Sequence, residues 1–210
     1  PGAVIVHDQF DSNVIGDVER YARGDVDTAL ASAVHVVEAT YTTPAQVHHA
    51  LEPHGAVVTW DGHTLTAYVS TQGVHDVRDG LAEALELPAN RVRVITEHMG
   101  GGFGAKQIVW KPTVIAAVLA MRTGRPVRLV PDRHGEALAT GHRNPTTQSV
   151  RLGADADGRL VAIDADILIG GGAYTVGGES SAVDGPYQYL YQCKHVRTVK
   201  TVVRTHHGPA

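Results

Sequence analysis

The sequence predicts an α+β protein with mixed and antiparallel sheets, two main helices and no regular βαβ winding. Three observations lead there. Asp61-Gly62 and Asp157-Gly158 each separate two β-branched runs and so mark hairpins. Helical apolar spacing is sustained in two stretches, both in the first two-thirds of the chain. The order of segments is strands, helix, strand, helix, then mostly strands.

Residues 1–30 are rich in Gly and Asp and read as a linker or a junction with a preceding domain, with room for one short helix over Asp25–Ala33. Residues 31–210 read as one domain. Val34–Thr43 is β-branched with recurring apolar residues, a strand. Gly55–Trp60 and Thr64–Ser70 form the first hairpin. Val74, Val77, Leu81 and Leu85 then fall on one helical face, which Pro88 and Asn90 end. Arg91–Thr96 alternates as a strand. A glycine loop, Met99–Gly104, leads into a helix predicted over Gln107–Arg122, with Pro112 in its first turns and Gly124 at its end. Val127–Val130 is a short strand, and Thr147–Gly153 and Arg159–Ile169 make the second hairpin. Gly170–Gly172 and Gly177-Gly178 bound a loop, and Arg197–Thr205 is a last strand.

A chain of 210 residues can bury a core as one large domain or two small ones. The net charge of -4 lacks the basic footprint of a nucleic-acid binder. No apolar run approaches the roughly 20 residues of a membrane span. The single cysteine, Cys193, excludes an internal disulfide and any iron–sulfur cluster held by four cysteines of this chain. No signal-peptide pattern is visible, which points to the cytoplasm. The chain does not begin with Met and ends at His206-His207-Gly208-Pro209-Ala210, so both ends read as cuts through a longer polypeptide.

Met99-Gly100-Gly101-Gly102-Phe103-Gly104-Ala105-Lys106-Gln107 is the most informative stretch. Clustered glycines let backbone N–H groups converge on a ligand without a Cβ in the way, and a following helix N-terminus favours an anion. A P-loop needs Gly before the lysine and Ser or Thr after it; here Ala105 and Gln107 stand there. A dinucleotide fingerprint fits Gly100, Gly102 and Ala105, but its ribose-binding acid should close a parallel strand about 20 residues on. The nearest candidate, Asp132, comes later and after Pro131. The loop can also be a helix-capping turn and nothing more.

The glycine loop resembles that of the xanthine dehydrogenase and aldehyde oxidase family, in the first cofactor-binding half of the molybdenum subunit. Other elements agree in family order: Gln46-Val47-His48-His49-Ala50-Leu51-Glu52-Pro53-His54, Ser70-Thr71-Gln72, Gly124-Arg125-Pro126-Val127-Arg128, Asp132-Arg133, Gly141-His142-Arg143-Asn144-Pro145, Asp157-Gly158-Arg159-Leu160 and Gly170–Tyr174. The resemblance runs from about Val34 to the end.

It implies a molybdopterin cofactor, in the simple or cytosine-dinucleotide form, whose dithiolene rather than any protein side chain holds the molybdenum. The implied chemistry is hydroxylation at a carbon of an aldehyde or aromatic N-heterocycle, with the protein positioning and polarising. Gln72 would donate its amide hydrogen toward an oxygen of the cofactor. Gly101, Gly102, Phe103 and Gly104 would approach it through their backbone, and Phe103 would wall the substrate channel. Gln107 stands where purine-oxidising members carry an acid, so a purine is disfavoured. The general-base glutamate is expected C-terminal to Ala210; Glu52, Glu97 and Glu179 do not match its motif. Iron–sulfur clusters and FAD belong to partner domains or chains. Each residue also has a plain role: Gln72 as a strand-end amide, Phe103 in packing, Gln107 as a helix former.

The thirteen histidines show no helical i, i+4 pair and no Cys-x-x-Cys companion, and most read as solvated or packing residues. Cys193 reads as a small, partly buried apolar residue. Two other functional readings remain: a non-catalytic cofactor-binding or assembly module of the same fold, and a dinucleotide-binding protein using Gly100–Ala105.

Overall fold

In the computed structural model, residues 4–7, 9–174 and 181–208 are described. In chain order the elements are β1 (Glu19–Arg23), α1 (Val26–Ser32), β2 (His35–Thr43), β3 (Gln46–Val47), β4 (Ala56–Trp60), β5 (Leu65–Val69), α2 (Val74–Ala84), β6 (Val92–Ile95), α3 (Lys111–Thr123), β7 (Val127–Leu129), α4 (Arg133–Ala139), β8 (His142–Arg143), β9 (Thr146–Ala154), β10 (Leu160–Gly170), α5 (Ser181–Tyr189) and β11 (His195–Val203). They divide into two units. Val47–Gly141 is one, inserted into the other, which is built from Pro1–Gln46 and His142–Ala210.

The outer unit carries a five-stranded sheet in the order β1-β11-β10-β9-β2. Only β10 and β11 run parallel; the other neighbours are antiparallel. Strict alternation along β10 gives the sheet two different faces. Ile163, Ala165, Ile167 and Ile169 point to one side, where Val183 and Tyr187 of α5 cover them. On the other side Ala162 packs against Val26, Ala29 and Leu30 of α1. That second face also carries a cross-strand row of alternating charge, Glu38, Arg151, Asp164 and Arg197, in direct register. Arg197 binds Asp164 and Asp27 of α1, and both carboxylates hold its pKa above the ordinary arginine value. On the α5 face, buried Lys200 pairs with Asp184 and Glu19; burial works against its charge, but the two acids outweigh that and raise its pKa.

The inserted unit has a four-stranded sheet, β6-β5-β4-β7. The β4–β5 hairpin turns at Asp61, whose carboxylate accepts from the N–H groups of His63 and Thr64. α2 then carries the chain across to β6, which lies parallel to β5. Val58, Leu65, Ala67 and Val69 form one face of the sheet. On it sit Val77 and Leu81 of α2 and Ala116, Ala117 and Ala120 of α3. The alanines let the α3 backbone lie close to the strands. The opposite face carries a row of Ile95, Tyr68, Val57 and Arg128 in register.

Both predicted hairpins, the α2 helix and the strands over β2, β6, β7 and β11 are present within a few residues of their expected limits. Three expectations need correction. Residues 1–30 are not only a linker, because β1 adds an antiparallel strand to β11. The helix expected from Gln107 starts at Lys111, four residues late, with Trp110 as its N-cap. Short α4 and α5 were not foreseen. Of the expected glycine-bounded loop, Gly177-Gly178 lies outside the described residues.

Leu81 is fully buried between α2 and the inserted sheet. Leu81→Ala should cost about 2–5 kcal/mol, read as a lower urea midpoint with little change in slope.

Candidate functional site

Lys106 organises the surroundings of the glycine loop. Its side chain is 0% exposed, so the ammonium must find its partners inside the protein. Nζ donates to the Glu52 carbonyl at 2.7 Å, to Ser70 Oγ at 2.7 Å and to Glu52 Oε2 at 3.3 Å. Glu52 returns the connection: its Oε2 accepts from the Ser70 hydroxyl and from the Gly100 N–H at 2.8 Å. Partial burial would raise the Glu52 pKa, but the bonds from Ser70, Gly100 and Lys106 outweigh it and hold the carboxyl below its ordinary value.

Three separate segments therefore meet: residues 50–54, residues 70–72 and the loop itself. Arg133 of α4 fixes the first by donating to the carbonyls of Ala50 and Leu51 at 2.8 and 2.7 Å. Within the loop, Gly101 and Gly104 take φ of 101° and 98° and Phe103 takes 52°, the left-handed region where glycine is at no disadvantage. Phe103 leaves 63% of its surface exposed.

Gln72 is held in one orientation. Its Oε1 accepts from the N–H groups of Gly104 at 2.9 Å and Lys106 at 3.3 Å. Its backbone N–H and the Thr71 hydroxyl both donate to the Lys106 carbonyl, at 2.7 and 2.8 Å. Two donors on one side of an amide demand its oxygen there, so the NH2 faces away from the loop backbone. That NH2 has no hydrogen-bond partner among the described residues, and neither have the N–H groups of Gly101 and Gly102. At Gly102 an added Cβ would fall inside the Gln72 amide, 2.5 Å from Cδ and 2.6 Å from Cγ.

The loop does not deliver a ligand to a helix N-terminus, because α3 begins at Lys111. The reason lies in its carbonyls. Ala105 O accepts from Trp110 Nε1 and contacts His54 Nε2, while Lys106 O is taken by Gln72 and Thr71. Lys106 O is the one that a helix starting at Gln107 would need for its first intrahelical bond. The P-loop and dinucleotide readings lose their physical basis here. Gln107 accordingly sits in the loop, exposed, its side chain without a hydrogen-bond partner among the described residues. Sequence reasoning placed Gln72 and the glycines together, as found. It missed the roles of Lys106, Glu52 and Ser70, which no local signal marks, since the partners lie 36 and 54 positions apart. Beside this hub is an open cleft of about 430 Å³, lined among others by Glu52, Tyr68, Ser70, His98 and Arg128.

Residues 6–210 match the molybdopterin cofactor-binding domain family. The chain belongs to that family. Among curated relatives, this molybdopterin cofactor-binding domain is 41% identical over 140 residues to the aldehyde oxidoreductase molybdenum-binding subunit PaoC of Escherichia coli O157:H7, covering 67% of this chain and 19% of PaoC. It is 37% identical over 161 residues to the nicotinate dehydrogenase large molybdopterin subunit of Eubacterium barkeri, covering 76% and 38%. It superposes on the aldehyde oxidoreductase of Desulfovibrio gigas with a TM-score of 0.83 at 28% identity, covering 100% of this chain and 23% of that one. The chain thus spans about a fifth of PaoC and less than two-fifths of the Eubacterium subunit. Several relatives are named as subunits of larger enzymes. No described helix is long and apolar enough to cross a membrane.

The residues present fit the family's cofactor. Gln72, an exposed residue, offers Nε2, and with the amides of Gly101 and Gly102 it makes a set of neutral donors without an acceptor among the described residues, matched to a ligand rich in oxygen and nitrogen acceptors. The described residues hold no cluster of three or more His, Cys, Asp or Glu placed to bind a metal, and a metal held by the pterin needs none.

Two outcomes test this geometry. Gly102→Ala should push the Gln72 amide aside and speed hydrogen exchange at the Gly104 and Lys106 amides, with exchange in α2 unchanged. Glu52 has a lowered pKa, so its contribution to stability is fully present above its ordinary 4.5 and is lost as pH falls through the lowered value. An acid titration of the urea midpoint should show this component, and Glu52→Gln should remove it.

Proposed function

We propose that this chain supplies the glycine loop and Gln72 to the cofactor site of a molybdenum hydroxylase that oxidises an aldehyde or an aromatic N-heterocycle. One observation carries the reading: the Gln72 amide is clamped by its oxygen with its NH2 left to donate, beside the unpartnered amides of Gly101 and Gly102. When bound, the molybdenum–pterin group supplies the two-electron redox chemistry of carbon hydroxylation.

The chain's own residues bind and orient. Gln72 Nε2 donates a neutral hydrogen bond, which polarises an acceptor oxygen without adding charge or titrating. Gly101, Gly102 and Gly104 admit close backbone approach, and Phe103, with the φ of its neighbours fixed, walls the substrate side. Gln107 offers no negative charge to the edge of a purine, which supports the smaller substrate class, as do the aldehyde and nicotinate named for the relatives. Glu52 is not free to act as a general base, since its carboxylate is already engaged by Ser70, Gly100 and Lys106; Glu179 lies outside the described residues. The base is assigned to a part of the molybdenum subunit other than these residues. The partners assigned are the remainder of a molybdenum subunit together with iron–sulfur and flavin components, in keeping with relatives named as subunits.

Molybdenum and pterin measured on the complex purified from its own host decide the matter. Near-stoichiometric amounts are expected; neither in a folded complex would instead mean a non-catalytic module of this fold. In the loaded enzyme, Gln72→Ala should lower turnover by on the order of 10²-fold with an unchanged melting temperature. Unchanged turnover removes Gln72 from the site.

A further inference from the structure

We propose that His54 is a positioning residue for the cofactor loop, acting through the carbonyl of Ala105. The inference rests on the function proposed above and names a residue that reading does not use.

His54 is 4% exposed and its partner Glu136, on α4, 5%. Glu136 receives two bonds from His54: the backbone N–H reaches Oε2 at 2.8 Å, and ring Nδ1 lies 2.7 Å from Oε1. The other ring nitrogen, Nε2, lies 3.0 Å from the Ala105 oxygen. A carbonyl only accepts, so Nε2 carries a hydrogen, and the remaining proton is shared between Nδ1 and Oε1. Trp110 Nε1 donates to the same carbonyl at 2.6 Å, with its ring edge-on to His54 at 5.6 Å.

The consequence follows from peptide geometry. In a trans peptide the C=O of one residue and the N–H of the next point in opposite directions from one rigid plane. Ala105 O and Lys106 N belong to the same peptide, and none among the described residues is cis. By drawing the oxygen inward, His54 and Trp110 aim the Lys106 N–H outward, where it meets Gln72 Oε1. The Gly104 N–H completes the grip from the other side of Ala105. Glu136 in turn holds the imidazole ring so that Nε2, not Nδ1, faces the loop. Gln72 would thus owe its orientation to a pair shut inside the protein rather than set on its surface.

The two ring nitrogens can be separated by substitution. Glutamine at position 54 keeps an N–H where Nε2 stood; asparagine keeps one where Nδ1 stood. A pair that only fastens residue 54 to α4 is served better by asparagine, because Glu136 remains paired. A loop-positioning residue is served by glutamine.

The measurements are made on the complex from its host: hydrogen exchange of peptides covering Gly104–Gln107, molybdenum and pterin per chain, and kcat and KM separately. His54→Gln should retain slow exchange at Lys106 and near wild-type cofactor content. His54→Asn should speed that exchange and lower cofactor content or kcat by roughly 10-fold or more, with KM little changed. Glu136→Gln should behave as wild type at the loop, because its amide can donate to Nδ1 while Nε2 stays protonated. It carries the same test if His54→Gln does not fold. Equal behaviour of the Gln and Asn variants, or loss of Lys106 protection in Glu136→Gln, overturns the proposal. A wild-type complex without molybdenum or pterin counts against the proposed function alone; the exchange measurements still decide the role of His54.

Discussion

A buried ammonium is the constraint on which the site depends. Lys106 is shut off from water, and each hydrogen of its Nζ is committed to Glu52 or Ser70. Taking away a partner would leave a charge in a medium that solvates it poorly, a far larger penalty than the loss of one bond. Residues 52, 70 and 106 are therefore obliged to stay together. A stretch with four glycines between 100 and 104 would otherwise sample many conformations. Anchored at Gly100 by Glu52 and at Gly104 and Lys106 by Gln72, it has one. Flexibility in the residue type and rigidity in the structure are reconciled by partners outside the loop.

What the sequence revealed depends on the range of the interactions. Both hairpins were legible because Asp-Gly turns and flanking β-branched residues act within a few positions; the Asp61 carboxylate closes its turn on His63 and Thr64. β1 was not, because Glu-Arg-Tyr-Ala-Arg has no apolar alternation and joins the sheet through backbone pairing with distant β11. The start of α3 was misplaced partly for the same reason. The Lys106 carbonyl, which would take the first bond of a helix starting at Gln107, is already claimed by the Thr71 hydroxyl and the Gln72 backbone N–H. Pro112 separates the two starts: it is the second residue of the observed helix, where a missing N–H costs nothing, but would be the sixth of a helix begun at Gln107, where that N–H is needed.

The site was legible only as a resemblance, and the fold explains what the resemblance was made of. The stretch 46–54, the Ser70-Thr71-Gln72 element, the glycine loop and Asp132-Arg133 looked like scattered agreements along the chain. In three dimensions they are a single hydrogen-bonded assembly: Arg133 on residues 50 and 51, Lys106 on 52 and 70, Gln72 on 104 and 106. Side chains that seemed unremarkable one by one gain their meaning from that convergence. Lys106 had been weighed only as a P-loop lysine, a role that would have faced it toward a ligand rather than into the protein.

The insertion of Val47–Gly141 between β2 and β9 sets the order in which the chain can acquire structure as it leaves the ribosome. The inserted unit is contiguous, so all its strands emerge together and it can close its core early. The outer sheet cannot. β2 emerges first but waits for β9, and β1 waits for β11, whose Thr198 pairs with Tyr21. Through that interval Val36, Val37 and Tyr41 of β2 present an unpaired β-prone segment to the surroundings. The vulnerable period of biosynthesis therefore falls on the outer unit, after the unit holding the glycine loop is already complete.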